Sequence, residues 1–228
     1  MKTHRSILKI YIILALISLP IIIILDASNK ICNIALSVLT SSMVAFLIEL
    51  ANYIALLNEN KNKLYSALYF TKYATISLLS DINNAIENNM SFTDVPQLPI
   101  INSIQYNFNN FLLIDNDYYW HSKKNDNLGY IKKTMHSSVQ NIILSYQKFS
   151  IAFNLAKISK LKQCDKEQIK LSSINEISLV KEAANQLLNE IEDTVKIFFT
   201  KDQLNKWIIE NNIINNSVIN CKATISSK

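Results

Sequence analysis

Two apolar runs lie within the first 57 residues of this 228-residue chain, and they limit its possible folds more than any other feature. The first, residues 7–25, reads ILKIYIILALISLPIIIIL, with Lys9 as its sole charge. At about 1.5 Å per helical residue it covers roughly 29 Å, the thickness of a hydrocarbon core. A signal peptide would share the basic start made by Lys2, Arg5 and Lys9. Its apolar stretch is shorter, however, and LDASNK is a poor small-residue cleavage site. The second run, 31–57, follows a short loop at 26–30 that suits a tight turn between antiparallel helices. The expectation is a transmembrane hairpin with spans at 7–25 and 31–57, in which Pro20 kinks the first span or ends its regular hydrogen bonding. Lys2, Arg5 and Lys9 precede the hairpin, and Lys61, Lys63 and Lys72 follow it. By the positive-inside rule both termini lie in the cytoplasm.

The remainder reads as helix. Gly129 is the only glycine, and Pro20, Pro96 and Pro99 are the only prolines, too few for the turns of a sheet protein. The fold class expected is all-α, with the hairpin as residues 1–57 and a cytoplasmic helical bundle as residues 58–228. No Gly or Pro occurs from residue 31 to residue 95, so the second span is expected to continue into the cytosol with a stripe of Leu64, Leu68, Thr75, Leu79, Ile82 and Ile86, interrupted at Lys72. SFTDVPQLP, residues 91–99, then breaks the chain. A shorter helix at 100–114 and a loop at 115–129 follow. Beyond them, Ile131, Met135, Val139, Ile142, Tyr146, Phe149, Phe153 and Ala156 recur at steps of three and four, as the core stripe of a helix does. Ile177, Val180, Ala184, Leu187, Ile191, Val195 and Phe198 form another such stripe, and 201–211 adds a short last helix before a polar tail.

Within the second span sits an acid, Glu49. Ala35, Val38, Ser42, Ala45, Glu49 and Asn52 recur at helical spacing, with Ser41 beside them, so one face is small or polar. Small residues let helices approach closely in lipid, and an intramembrane carboxylate faces other protein or water. In one reading Glu49 snorkels to the interface or is protonated and bonded within the hairpin. In another, several copies assemble and Ser41, Ser42, Ala45, Glu49 and Asn52 line a conducting path. A proton relay is the third, although the first span holds no acid or His to serve as partner.

Charge is uneven in the cytoplasmic part. Residues 121–162 carry eight lysines and one acid, Asp126, whereas 165–210 carry nine acids and six lysines. Lys123, Lys124, Lys132 and Lys133, next to Tyr119 and Trp120, offer phosphate contacts and stacking rings to single-stranded nucleic acid or a nucleoprotein. The same lysines suit an anionic lipid surface, or simply a solvated helix face. Catalytic patterns are missing. A phosphate-cradling loop needs more glycine than Gly129 supplies, and no Ser sits in a glycine-flanked elbow. His121 and His136 form no ligand pair with each other or with Cys32, Cys164 or Cys221. Asp115 and Asp117 open a faint calcium-loop pattern, but Trp120 stands where the loop needs Gly and Asp126 where it needs Glu. The expectation is a non-enzymatic chain without metal or cofactor, in a reducing compartment.

A short two-span hairpin joined to a helical cytoplasmic domain without catalytic residues resembles the two-transmembrane effectors of bacterial antiphage systems, most of all those associated with retrons. The resemblance covers the whole chain as architecture. It implies a toxin-like effector of the bacterial inner membrane, held silent by a reverse transcriptase with its RNA–DNA product. Release during infection would let the spans, as a homo-oligomer with Ser42, Glu49 and Asn52 on the working face, permeabilise the membrane. The alternative is a non-toxic membrane anchor or adaptor for a soluble partner.

Overall fold

A computed structural model describes residues 2–25, 29–87, 98–114, 122–156 and 163–225. The side chains of 2, 84–87, 98, 122–125, 152–156, 163–167, 169–173 and 214–225 lie outside that description. Among the described residues the protein is all-helical: α1 (Lys2–Ile24), α2 (Lys30–Glu87), α3 (Leu98–Leu112), α4 (Ser122–Ala156), α5 (Gln163–Phe198) and α6 (Lys201–Ile225). They divide into two compact units, Met1–Asn62 with Asp115–Asn125, and Lys63–Ile114 with Asp126–Lys228. The division falls inside α2, which contributes to both.

In the first unit, α1 and α2 are both long and apolar enough to cross a membrane. Helix α1 runs through Pro20 to Ile24 rather than ending there. A proline removes one ladder bond, and the turn beyond it still closes, with Leu25 N–H donating to Ile21 O at 3.1 Å. Helix α2 starts from an N-cap: Asn29 Oδ1 accepts from Ile31 N–H at 2.9 Å, satisfying one of the free donors of the first turn. With no Gly or Pro to stop it, α2 then continues for 58 residues.

The second unit is built around the distal half of α2. Its buried row is Leu64, Leu68, Thr71, Thr75, Leu78 and Ile82. Leu78 replaces the expected Leu79, which is only half-buried, because Lys72 drops out of the stripe and Thr71 takes its place. Threonine is tolerated there since each hydroxyl donates to the carbonyl one turn back, Thr71 to Ala67 O and Thr75 to Thr71 O, both at 2.7 Å. The stripes expected on α4 and α5 form the facing core: Met135, Val139, Ile142 and Phe149 are buried, as are Val180, Ala184, Leu187, Ile191 and Val195. Phe153 and Ala156 lie among the undescribed side chains.

Three boundaries differ from the sequence expectation. Helix α4 begins at Ser122, so 122–129 is helix and not loop. Leu128 is fully buried and anchors that first stretch; the interior Gly129 weakens it by about 1 kcal/mol, less than the packing contributes. Helix α3 opens at Leu98 with Pro99 in its first turn, where a missing N–H costs nothing. Helix α6 continues to Ile225 because nothing after Asn211 breaks it. Its start is a capping box: Thr200 Oγ1 accepts from Gln203 N–H at 3.4 Å, and Gln203 Oε1 accepts from Thr200 N–H at 3.1 Å.

Trp207 of α6 joins α2 to α5. Its ring meets Tyr65 edge-on at 5.8 Å, Phe199 at 5.5 Å and Tyr69 at 6.1 Å. The indole N–H donates to Glu192 Oε2 at 3.4 Å. Lys72, the residue that interrupts the α2 stripe, pairs with the other oxygen of Glu192 and sits 5.0 Å from the Trp207 ring centre. Tyr65 donates to Glu210. Burial first, and then that neighbouring carboxylate, push the Tyr65 phenol far above the ordinary tyrosine range.

Candidate functional site

The polar stripe of α2 divides between two environments. Cys32, Ala35 and Ser42 are buried, and Leu39, Phe46 and Glu49 are half-buried, so these residues form the seam against α1, with Tyr53 buried one turn beyond Glu49. Their spacing alternates between three and four, as in the left-handed packing of paired helices. On α1 the seam includes buried Leu8 and Ser18. Phe46, which is neither small nor polar, also lines the seam. Val38, Ser41 and Asn52 are exposed on its flank. The reason is angular: residues seven apart (35, 42 and 49) stay on the contact line, while 38, 41 and 52 are rotated away from it.

Small side chains shape the seam. Ser18 donates to Leu14 O at 2.8 Å, and Ser42 donates to Val38 O. Both hydroxyls are thereby satisfied within their own helix while the backbones approach. A shallow groove of about 380 Å³ runs along the Ser41 flank between Tyr11, Leu14, Ser37 and Ala45. On the opposite flank lies an apolar groove of about 310 Å³, lined by Tyr11, Ala15, Leu19, Met43 and Leu47 among others.

Glu49 has a partner that sequence reasoning missed. Its Oε1 is hydrogen-bonded to Nδ1 of His4 at 2.6 Å, across 45 residues of chain. The Glu49 side chain is 15% exposed and that of His4 35%. The apolar run that begins at Ile7 holds no acid or His. Helix α1 instead starts at Lys2, so His4 belongs to the same helix and comes level with Glu49 in the antiparallel register. A carboxylate only accepts, so Nδ1 carries the proton when Glu49 is ionised.

Of the six residues of the expected basic surface, the described side chains include Lys132 and Lys133. Lys132 is buried, and its ammonium donates to Leu112 O at 3.1 Å and to Ile114 O, 5.9 Å from the Phe111 ring centre. It caps the carboxyl end of α3, where unpaired carbonyls and the helix dipole favour a cation. Lys132 is therefore removed from the candidate contacts. Lys133 is exposed on α4. Lys123 and Lys124 belong to the first turn of α4, with side chains outside the described residues. Tyr119, Trp120, His121, Asp115 and Asp117 also lie outside them, as does the 91–97 part of the expected linker. His136 stacks against Phe108 at 6.1 Å. Among the described residues no group of three or more His, Cys, Asp or Glu is placed to hold a metal.

Comparison of the chain with protein-family models, curated proteins and solved structures finds no match.

Proposed function

We propose that the protein is a membrane effector: its hairpin inserts in the bacterial inner membrane with both termini cytoplasmic, and assembled copies permeabilise that membrane. The observation that carries this reading is the outward display of apolar side chains around the hairpin. Leu16, Ile17 and Ile23 on α1, and Ile34, Leu47 and Ile48 on α2, are all exposed. The most apolar windows of the two helices are only 11% and 17% buried, whereas the core helix of a soluble protein covers such residues. A lipid solvent accounts for that display. Asn52 and Ser41, exposed on the same helix, give a second copy polar groups to bond across a helix–helix contact.

The architecture that resembles antiphage effectors supplies the context. In that setting the helical domain is held silent by a reverse transcriptase with its RNA–DNA product, and infection releases it. Lys133, with Lys123 and Lys124, remains the candidate docking surface for such a nucleoprotein.

Expression of the chain alone from a tight promoter, with a membrane-impermeant dye in the medium, tests the reading. Dye entry and growth arrest are expected, and alanine at both Glu49 and Asn52 is expected to abolish them while insertion persists. Unchanged killing by that double variant sinks the assembly face. A second reading, a non-toxic anchor for a soluble partner, draws support from the His4–Glu49 pair, which satisfies the carboxylate within one copy. Replacing both spans with an unrelated hairpin separates the two, because an anchor keeps working and a permeabilising effector does not.

A further inference from the structure

We infer that the His4–Glu49 contact is an autoinhibitory latch, which holds the carboxylate in the seam of a single hairpin and keeps it from the face that recruits a second copy. The inference rests on the permeabilising reading above and adds a control point to it. Glu49 is the only acid from residue 31 to residue 58, and its side chain is 15% exposed with the His4 nitrogen 2.6 Å away. If His4 leaves, the Glu49 carboxyl, only 15% exposed in that seam, has lost its hydrogen-bond partner, and an unsatisfied polar group there is costly. Rotation of its side chain toward Asn52, one turn further along and exposed, takes it to the flank where Ser41 is also exposed. There a partner helix or water can receive it.

The two halves of the contact are unequally secured. Glu49 sits within the 58-residue α2, with ladder bonds on both sides. His4 is in the first turn of α1, whose backbone N–H groups have no acceptors in their own helix and which therefore frays most easily. A third of the His4 side chain faces solvent, so water competes for its proton. The basic neighbours Arg5 and Lys9 are on α1 as well, and the nearest acid along α2 is Glu59, about 15 Å of helical rise away. Anything that pulls the amino terminus of α1 aside thus opens the latch without disturbing α2.

The test uses the full chain reconstituted in liposomes of bacterial polar lipid, read in two ways: copies per spot by photobleaching, and release of an entrapped dye. His4→Ala is expected to raise both the fraction of multi-copy spots and the release rate by about tenfold, the effect of losing one charge-assisted hydrogen bond. The double variant His4→Ala with Glu49→Gln is expected to fall to the wild-type level or below it, because the freed carboxylate is what drives assembly. If His4→Ala matches the wild type in copy number and release, or if the double variant stays as assembled as His4→Ala, the latch is overturned. A rise in copy number with no dye release from any variant keeps the latch and refutes permeabilisation.

Discussion

Replacing Trp207 by alanine is the sharpest perturbation of the second unit. The indole is 2% exposed and is enclosed by Tyr65, Tyr69 and Phe199. A ring of that size removes about 200 Å² from water, worth about 5 kcal/mol at about 25 cal/mol per Å². Truncations of this kind cost about 3–5 kcal/mol, depending on how far the site collapses. The indole N–H bond to Glu192 is long at 3.4 Å and adds little. Loss of the ring beneath Lys72 removes roughly 0.5–1 kcal/mol more. Trp207→Ala should therefore destabilise the unit by about 3–5 kcal/mol, a large share of the 5–15 kcal/mol typical of a domain. Trp207→Phe, which keeps one ring in place, should cost about 1–2 kcal/mol. Thermal unfolding of the detergent-solubilised chain measures the global effect, and hydrogen exchange across 201–213 measures release of α6. A Trp207→Ala variant within about 1 kcal/mol of the wild type, or no worse than Trp207→Phe, would refute the packing argument.

Lys132→Ala should cost about 1–3 kcal/mol through loss of the α3 cap, whereas Lys133→Ala should leave stability within about 0.5 kcal/mol, as parallel thermal unfolding of the two variants will show. Tyr65 is held neutral in the folded state, so its contribution is complete below the ordinary tyrosine value of about 10 and is lost as pH rises beyond it. Unfolding followed from pH 8 to 11 should show that decline, and Tyr65→Phe should flatten it in part, because burial raises Tyr69 and Tyr146 as well. A fluorophore at Asn52 in the reconstituted hairpin should be quenched by an aqueous quencher, and one at Val44 should be protected from it. Equal quenching at both sites contradicts a bilayer edge at the level of the His4–Glu49 pair.

The core was legible in the sequence because burial on one side of a helix imposes a period. The middle of each expected stripe, Met135 to Phe149 on α4 and Val180 to Phe198 on α5, is buried, while Ile131 and Ile177 at the stripe ends are half-buried. The polar stripe of α2 was legible only in part. Residue identity marked Ser42 and Glu49, but the contact line follows an angle, and Phe46 fits that angle better than Asn52 does. His4 and Lys132 left no local signal. A histidine beside a basic amino terminus looks like part of a charge cluster, and a lysine in a basic run looks solvated. Each acquires its role from a residue brought near by folding: Glu49, 45 positions along the chain for His4, and Ile114, 18 positions back for Lys132. Trp207 was equally silent, since one aromatic in a short polar helix has no periodic partners of its own.

The His4–Glu49 pair also alters where a bilayer would meet the hairpin. Read alone, the apolar run 31–57 places Glu49 well inside the lipid. The antiparallel register ties it to His4, and from that pair back to the turn α1 rises about 30 Å and α2 about 27 Å, close to one hydrocarbon thickness. In the proposed orientation the pair marks the cytoplasmic edge of the membrane, where a polar contact is tolerated and basic residues on the amino-terminal side can reach headgroups. The apolar stretch 50–57 falls beyond that edge, and Asn52 comes to lie in the interface rather than in the acyl chains. An amide at that level is close enough to water to be tolerated in a single hairpin and close enough to lipid to favour bonding with a second one. A glutamate in an apolar run therefore need not be a channel residue; under the proposed latch its position lets assembly be controlled from the amino-terminal end of α1.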